Sequence, residues 1–201
     1  KNDYFDFQFG YEIDQTRGYA SPASFEYQQN TSPIVREIGT YDFFASSEIN
    51  LNDQLSFRPG ARVMFSEQFD TQYVVSLSAK YLLGKEWELR GIVGTSPRLP
   101  NFNEMYSFLV DVNHNVQGNE NLSPENGVSA FLHLKRNWKL NNSSSIEQKL
   151  SLWNIELKDK IELVDLNTNP KKYLYQNIDS YKVHGITYMN QFKTGNFDGG
   201  I

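Results

Sequence analysis

Phe5-Asp-Phe-Gln-Phe-Gly-Tyr-Glu-Ile13 places Phe5, Phe7, Phe9, Tyr11 and Ile13 on one face and Asp6, Gln8, Gly10 and Glu12 on the other. Strict alternation over such a stretch has the period of a β-strand, not the 3.6-residue period of a helix. The pattern recurs outward along the chain. Tyr41, Phe43, Ala45 and Ile49 alternate with Asp42, Ser46, Glu48 and Asn50, with Phe44 breaking the polar row. Leu55, Phe57, Ala61, Val63 and Phe65 alternate with Gln54, Ser56, Arg58 and Arg62. Further alternating runs cover Tyr73 to Leu83, Trp87 to Val93 and Val128 to Leu134. After Ser145 the apolar parity switches between Leu152 and Trp153, which a β-bulge near Leu152 or a two-sided apolar stretch would each explain. A last, weakly alternating strand covers Tyr173 to Phe192.

Two features set the class of sheet. Several runs reach about 12 residues against about 5–6 for a typical strand, whereas a tilted membrane-spanning strand needs about 9–11. The connections also alternate in length. Tight turns at Leu51-Asn-Asp53, Gly84-Lys85, Leu140 to Ser143 and Gly195-Asn196 interleave with longer links, including Asp14 to Arg36 and the central segment Thr95 to Glu125. Short turns on one side and long loops on the other are the signature of an outer-membrane β-barrel. Tyr4, Tyr41, Tyr73, Tyr81, Trp87, Trp138 and Tyr173 fall near strand ends, where aromatic girdles form. A soluble sandwich would send the charged rows to water and the apolar rows to a core; a barrel sends them to its lumen and to lipid.

Composition narrows the function. The chain has 201 residues, a net charge of -5 and no cysteine. Thiol chemistry, disulfides and zinc-thiolate sites are thereby excluded, and the absence of a basic cluster argues against nucleic acid as a partner. No window has the ~18 consecutive apolar residues of a membrane helix, which leaves barrels untouched. The sequence holds no G-x-S-x-G, H-E-x-x-H, P-loop or dinucleotide fingerprint, so an enzyme is not expected. The chain enters a strand at once and stops in a turn. The expectation is an all-β, transmembrane antiparallel barrel domain over residues 1–201, with about eight strands of a larger barrel.

The central segment is the richest in chemistry. It is too full of Asn, Pro and Gly to read as a regular strand or helix, yet it carries Phe102, Met105, Tyr106, Phe108 and Leu109. Pro97 and Pro100 stop ladder pairing where the strand ends. Arg98 and Glu104 are placed to pair across the loop base. Asn119, Asn121 and Pro124 suit a turn with Gly118 supplying a positive φ, and Leu122 and Met105 are expected to pack beneath.

These residues also carry a family resemblance. Arg90 to Tyr106, with Gly118-Asn-Glu-Asn-Leu-Ser-Pro-Glu125 after it, resembles two successive boxes of the TonB-dependent outer-membrane receptors. Phe57-Arg-Pro-Gly-Ala-Arg62 is similar to an upstream strand motif, and Tyr175-Gln-Asn-Ile-Asp179 with His184-Gly185 to a downstream one. The chain departs from the pattern at Ser96-Pro97-Arg98, Glu120 and Thr187. The resemblance implies an outer-membrane location in a Gram-negative bacterium and a barrel of about 22 strands. It also implies a plug domain outside this chain and energy supplied by TonB through an N-terminal region that is likewise outside it. The partners implied are membrane lipid and TonB, with a surface lipoprotein as a further candidate. No intrinsic cofactor is implied. The transported ligand would be haem, a ferric siderophore or, as the alternative, cobalamin. Haem receptors of this family carry an iron-ligating His between the two boxes, and His114 lies there, flanked by Asn113 and Asn115. The candidate ligand residues are therefore His114, Tyr106, Phe108, Asn113 and Asn115, against a purely local role for His114. For the boxes, folding the loop back onto the barrel stands beside ligand contact. A β-sandwich adhesin that binds glycan is the competing class.

Overall fold

The computed structural model describes residues 5–20, 33–110, 113–195 and 197–200. Tyr4 and most of the Asp14–Arg36 link, including Phe25 and Tyr27, lie outside those residues. The described chain forms one eleven-stranded sheet. Eight strands are long: β1 (Phe5–Ala20), β2 (Ile34–Asn50), β3 (Leu55–Ser66), β4 (Gln72–Leu83), β5 (Trp87–Thr95), β8 (Asn126–Asn141), β9 (Ser144–Asp165) and β10 (Tyr173–Thr194). Each pairs antiparallel with the next through the order β1-β2-β3-β4-β5-β8-β9-β10. Three short strands complete the sheet: β6 (Phe108–Val110), β7 (Asn115–Gln117) and β11 (Phe197–Gly200). Among the described residues no second layer packs on this single sheet, which excludes the sandwich. The eight long strands pair antiparallel as expected; outside that set, the short β7 runs parallel to β10 at Tyr173 and Leu174.

The register shows how the sheet sits in a membrane. One ladder row reads Phe5, Ile49, Phe57, Ala79, Gly91, Leu132, Leu152 and Ile186, without a charged residue across eight strands. Where the row crosses β2, at Ile49, it is two residues from the turn residue Leu51; where it crosses β10, at Ile186, it is nine from the turn residue Gly195. With about 4.8 Å between strands and about 3.3 Å per residue, this climb corresponds to strands tilted by roughly 40°, within the range of outer-membrane barrels. On β4 the apolar face runs from Tyr73 to Leu83; at that tilt it spans roughly 25 Å, the height of a barrel's lipid-facing band. The opposite, concave face carries the polar row. There Glu12 and Asp42 both bind Arg62, at 3.2 and 3.0 Å, and Glu48 binds Arg58 at 3.1 Å.

Strands β1 and β2 correct the expected long loop, since both continue well past the alternating region, to Ala20 and from Ile34. Beyond the membrane neither face is apolar, so the periodic signal vanishes while pairing persists, for example between Arg17 and Glu37. The parity switch near Leu152 is not a bulge. The register of β9 is continuous there, and the irregularity lies at Lys139/Asn141 instead. Leu150 and Leu152 face outward while Trp153 faces inward, where it covers Gly185: a Cβ on Gly185 would sit 2.5 Å from the indole.

Candidate functional site

Arg98 is the centre of the loop base, outside the membrane-spanning part of the sheet. Where β5 ends, Pro97 and Pro100 prevent further laddering, and only an isolated bridge joins Arg98 to Glu125. In that bridge each backbone N–H donates to the other's carbonyl, at 3.0 and 2.8 Å. The guanidinium then spends its fork on two carboxylates. Nε and Nη2 donate to Glu125 at 2.9 and 2.7 Å, and Nη1 and Nη2 donate to Glu104 at 2.9 and 3.0 Å. Two bidentate pairs on one Arg are geometrically specific in a way Lys cannot reproduce.

Each carboxylate has a second task. Glu104 Oε2 accepts from the Asn101 N–H while Asn101 Oδ1 accepts from the Glu104 N–H, a capping box. This box explains α1 (Phe102–Tyr106), the short helix that the Asn/Pro/Gly content argued against. Glu125 Oε1 accepts from the Ile161 N–H of β9 at 2.7 Å, tying the loop to the wall. Burial alone would raise the Glu125 carboxyl; the Arg98 hydrogen bonds and the Ile161 N–H outweigh it and hold the group below its ordinary value. The same Glu125 bond lifts Arg98 further above its ordinary value, against the cost of its own desolvation.

Beneath this network lies the main buried apolar cluster among the described residues: Met105, Tyr106, Leu122 and Ile161, flanked by Phe102, Ile38 and Tyr175. Pro100 is fully buried. Met105 and Leu122 therefore pack together as expected. Gly118 serves another purpose than the one anticipated. It is not among the residues with positive φ; a Cβ there would sit 2.5 Å from the Met105 carbonyl carbon, so glycine is needed for close backbone approach. Asn119 donates from its side chain to the Tyr175 carbonyl at 3.0 Å, and its Oδ1 accepts the Asn121 N–H at 2.9 Å. Pro124 sits at the end of this turn, directly before Glu125.

The ligand candidates divide. Tyr106 is 6% exposed, with its ring in the cluster and Arg36 5.9 Å over it. Phe108 is half-buried at the start of the β6–β7 hairpin. Asn113 and His114 are exposed at the hairpin's far end, and Asn115 opens β7. The structure thus separates Tyr106 from the hairpin-end residues. Among the described residues no group of three or more His, Asp or Glu is arranged to hold a metal. Sequence reasoning quoted Asn177 within the Tyr175–Asp179 motif but gave it no role; its side chain clamps both backbone groups of Ser123 and the Asp159 carbonyl. Sequence reasoning missed Gly18, where a Cβ would strike the Phe102 ring at 2.2 Å. No periodicity marks either residue. Between the loop base and the concave wall lies a cleft of about 580 Å³, lined by Glu12, Asp14, Asp42, Arg62, Arg98 and Phe102.

A protein-family profile described as TonB dependent receptor-like, beta-barrel, matches residues 1–197. Solved structures of the same shape include the siderophore receptor PirA of Pseudomonas aeruginosa, with a TM-score of 0.73 at 18% identity, covering 94% of this chain and 34% of that one. A mutant of the ferric enterobactin receptor PfeA of the same organism, in complex with enterobactin, has a TM-score of 0.73 at 15% identity and covers 95% and 31%. The copper transporter OprC has a TM-score of 0.70 at 14% identity and covers 100% and 36%. The chain spans about a third of the length of these structures. No curated protein sequence matches it.

Proposed function

We propose a function from the premise that this chain belongs to the TonB-dependent receptor-like β-barrel family: it is wall and loop of an outer-membrane receptor that imports a scarce nutrient. The barrel lies in the outer membrane of a Gram-negative bacterium. In the full-length protein a plug domain fills the lumen and TonB supplies the energy, acting through an N-terminal region. The observation that carries the reading is the family match over residues 1–197, joined to a loop whose base is locked by Arg98 while its hairpin end stays exposed. A rigid base with an accessible tip is how a receptor presents recognition residues on a stable scaffold.

The ligand class proposed is an iron chelate or haem, with cobalamin as the alternative. PirA and PfeA are siderophore receptors by name and OprC is a copper transporter, so the shared shape leaves ligand choice to the loops. Within the loop, Asn113, His114, Asn115 and the hairpin residue Phe108 are the proposed contacts, whereas the box residues shape the base. Imidazole is a good axial ligand for haem iron. The test uses the full-length receptor. Haem titration should give a Soret shift that is lost in His114→Ala, while Arg98-anchored protection of the loop base is retained. An unchanged haem affinity and spectrum in His114→Ala would remove haem from the reading. Growth on a ferric siderophore as sole iron source would then decide between iron chelate and cobalamin.

A further inference from the structure

The cleft of about 580 Å³ between the loop base and the concave wall holds more negative than positive charge. Three carboxylates line it, those of Glu12 and Asp14 on β1 and Asp42 on β2, with the guanidinium groups of Arg62 and Arg98. Arg98 is already committed, since Nε, Nη1 and Nη2 all donate to Glu104 and Glu125. Arg62 serves two carboxylates through one nitrogen, Nη1 reaching Glu12 at 3.2 Å and Asp42 at 3.0 Å. Asp14 accepts the Thr16 hydroxyl at 3.3 Å and joins no ion pair among the described residues. With Glu104 and Glu125 included, five carboxylates stand against two guanidinium groups.

A second observation comes from the wall itself. The Asp42 side chain is 5% exposed, and its Oδ2 takes the bond from Arg62. The other oxygen, Oδ1, is buried and meets no hydrogen-bond donor among the described residues. An ionised oxygen left bare in this way is unfavourable, because nothing replaces the water it has lost. A cationic donor brought into the cleft relieves that loss. Phe102 adds a ring to the same lining, and an aromatic face attracts organic cations. A bare metal ion fits less well, since no group of three or more His, Asp or Glu among the described residues is arranged to hold one.

We propose that this cleft takes the protonated amine of a cationic iron chelate, with Asp42 and Asp14 as its counter-charges. The inference rests on the reading of the chain as an iron-chelate receptor and narrows it to chelates that carry a positively charged arm. The same excess of carboxylates repels a polyanionic chelate, so the cleft selects by rejection as well as by attraction.

The experiment titrates the full-length receptor in detergent with three ferric chelates and reads affinity by calorimetry. Ferrioxamine B has a free primary ammonium; its N-acetyl derivative keeps the same hydroxamate iron centre without that charge; ferric enterobactin is a polyanion. The wild type should hold ferrioxamine B about tenfold tighter than the acetylated form, the scale of one charge-assisted hydrogen bond. Asp42→Asn, which keeps size and shape, should cut that preference to about twofold or less. Asp14→Asn, at an exposed position, should cut it less, to about threefold. Glu48→Gln, on the concave face but outside the cleft, should leave it unchanged. The proposal is overturned if the wild type does not prefer ferrioxamine B to its acetylated form, or if the preference survives in Asp42→Asn shown folded by heat-dependent gel mobility. Should Asp42→Asn not fold, survival of the preference in Asp14→Asn overturns it instead. An equal loss in Glu48→Gln would mean a diffuse field rather than a site, and also overturns it. Binding of ferric enterobactin without ferrioxamine B overturns it while the iron-chelate reading stands; binding of none of the three removes both.

Discussion

On the outward wall Phe9 is 80% exposed and Ile186 73%, whereas in the loop base Met105 and Tyr106 are each 6% exposed. Both regions are rich in large apolar side chains. Among the described residues no protein layer covers the wall, and the bilayer supplies its apolar environment. The loop base has to make its own interior outside the membrane, and does so with a small cluster roofed by Arg98, Glu104 and Glu125. The difference teaches that apolar content alone does not locate a core here. What separates the two regions is whether the polar backbone and charges nearby are satisfied by ladder pairing or by a purpose-built network.

The largest effect should come from putting charge into the wall. Leu77 lies midway along the apolar face of β4, and its neighbour Ser78 points the other way. Leu77→Arg in the full-length receptor is expected to destabilise the folded barrel by about 2–4 kcal/mol in liposome unfolding measurements, and Ser78→Arg by little. Equal losses would mean that the faces are assigned wrongly.

The next effect belongs to the loop base. Arg98→Ala removes the shared partner of two carboxylates, one of them buried. Breaking a buried pair costs about 3–5 kcal/mol; with Arg98 partly exposed, about 2–3 kcal/mol is expected. The loss should be local, read as faster proteolysis between residues 96 and 125 with the barrel's melting unchanged. A barrel that melts together with the loop would break the distinction between the two regions.

The smallest effect is pH dependence. Glu125 is held below its ordinary value by Arg98 and the Ile161 N–H. Its contribution is therefore fully present above the unfolded carboxylate value, about 4.3, and is lost as pH falls through the lower folded value. Hydrogen exchange at Ile161 and Arg98 should be flat, after correction for intrinsic rates, from about pH 7 to 5 and should rise only below about 4. Loss of protection near neutral pH would show that the roof is held by something other than these charges.

Much of the wall was legible from residues alone, because lipid on one side and lumen on the other impose a period of two on every crossing strand. The strand extensions Asp14 to Ala20 and Ile34 to Thr40 were not, since no apolar environment selects a face there. In the site, the Arg98–Glu104 pair and the Met105–Leu122 contact were readable from charge and hydropathy within a short span. Asn177, Gly18 and the second partner of Glu125 lie far along the chain from the residues they hold; the motif around Asn177 marks that residue without saying what it holds, and no local pattern points to the other two. Gly118 was recognised as necessary for the wrong reason, because a close backbone contact leaves no trace in sequence.

By itself, then, the sequence determined a membrane-spanning sheet of eight long strands, its inward and outward faces, and the limits of a chemically mixed loop, all of which follow from local periodicity and backbone sterics. Only the tertiary structure decided that the loop folds into a short capped helix and a hairpin. It also decided that Arg98 grips two carboxylates at once, and that Lys158 and Lys182 line one hollow on the outer wall. Those arrangements depend on strand register and tilt, which bring together residues that no window of sequence contains.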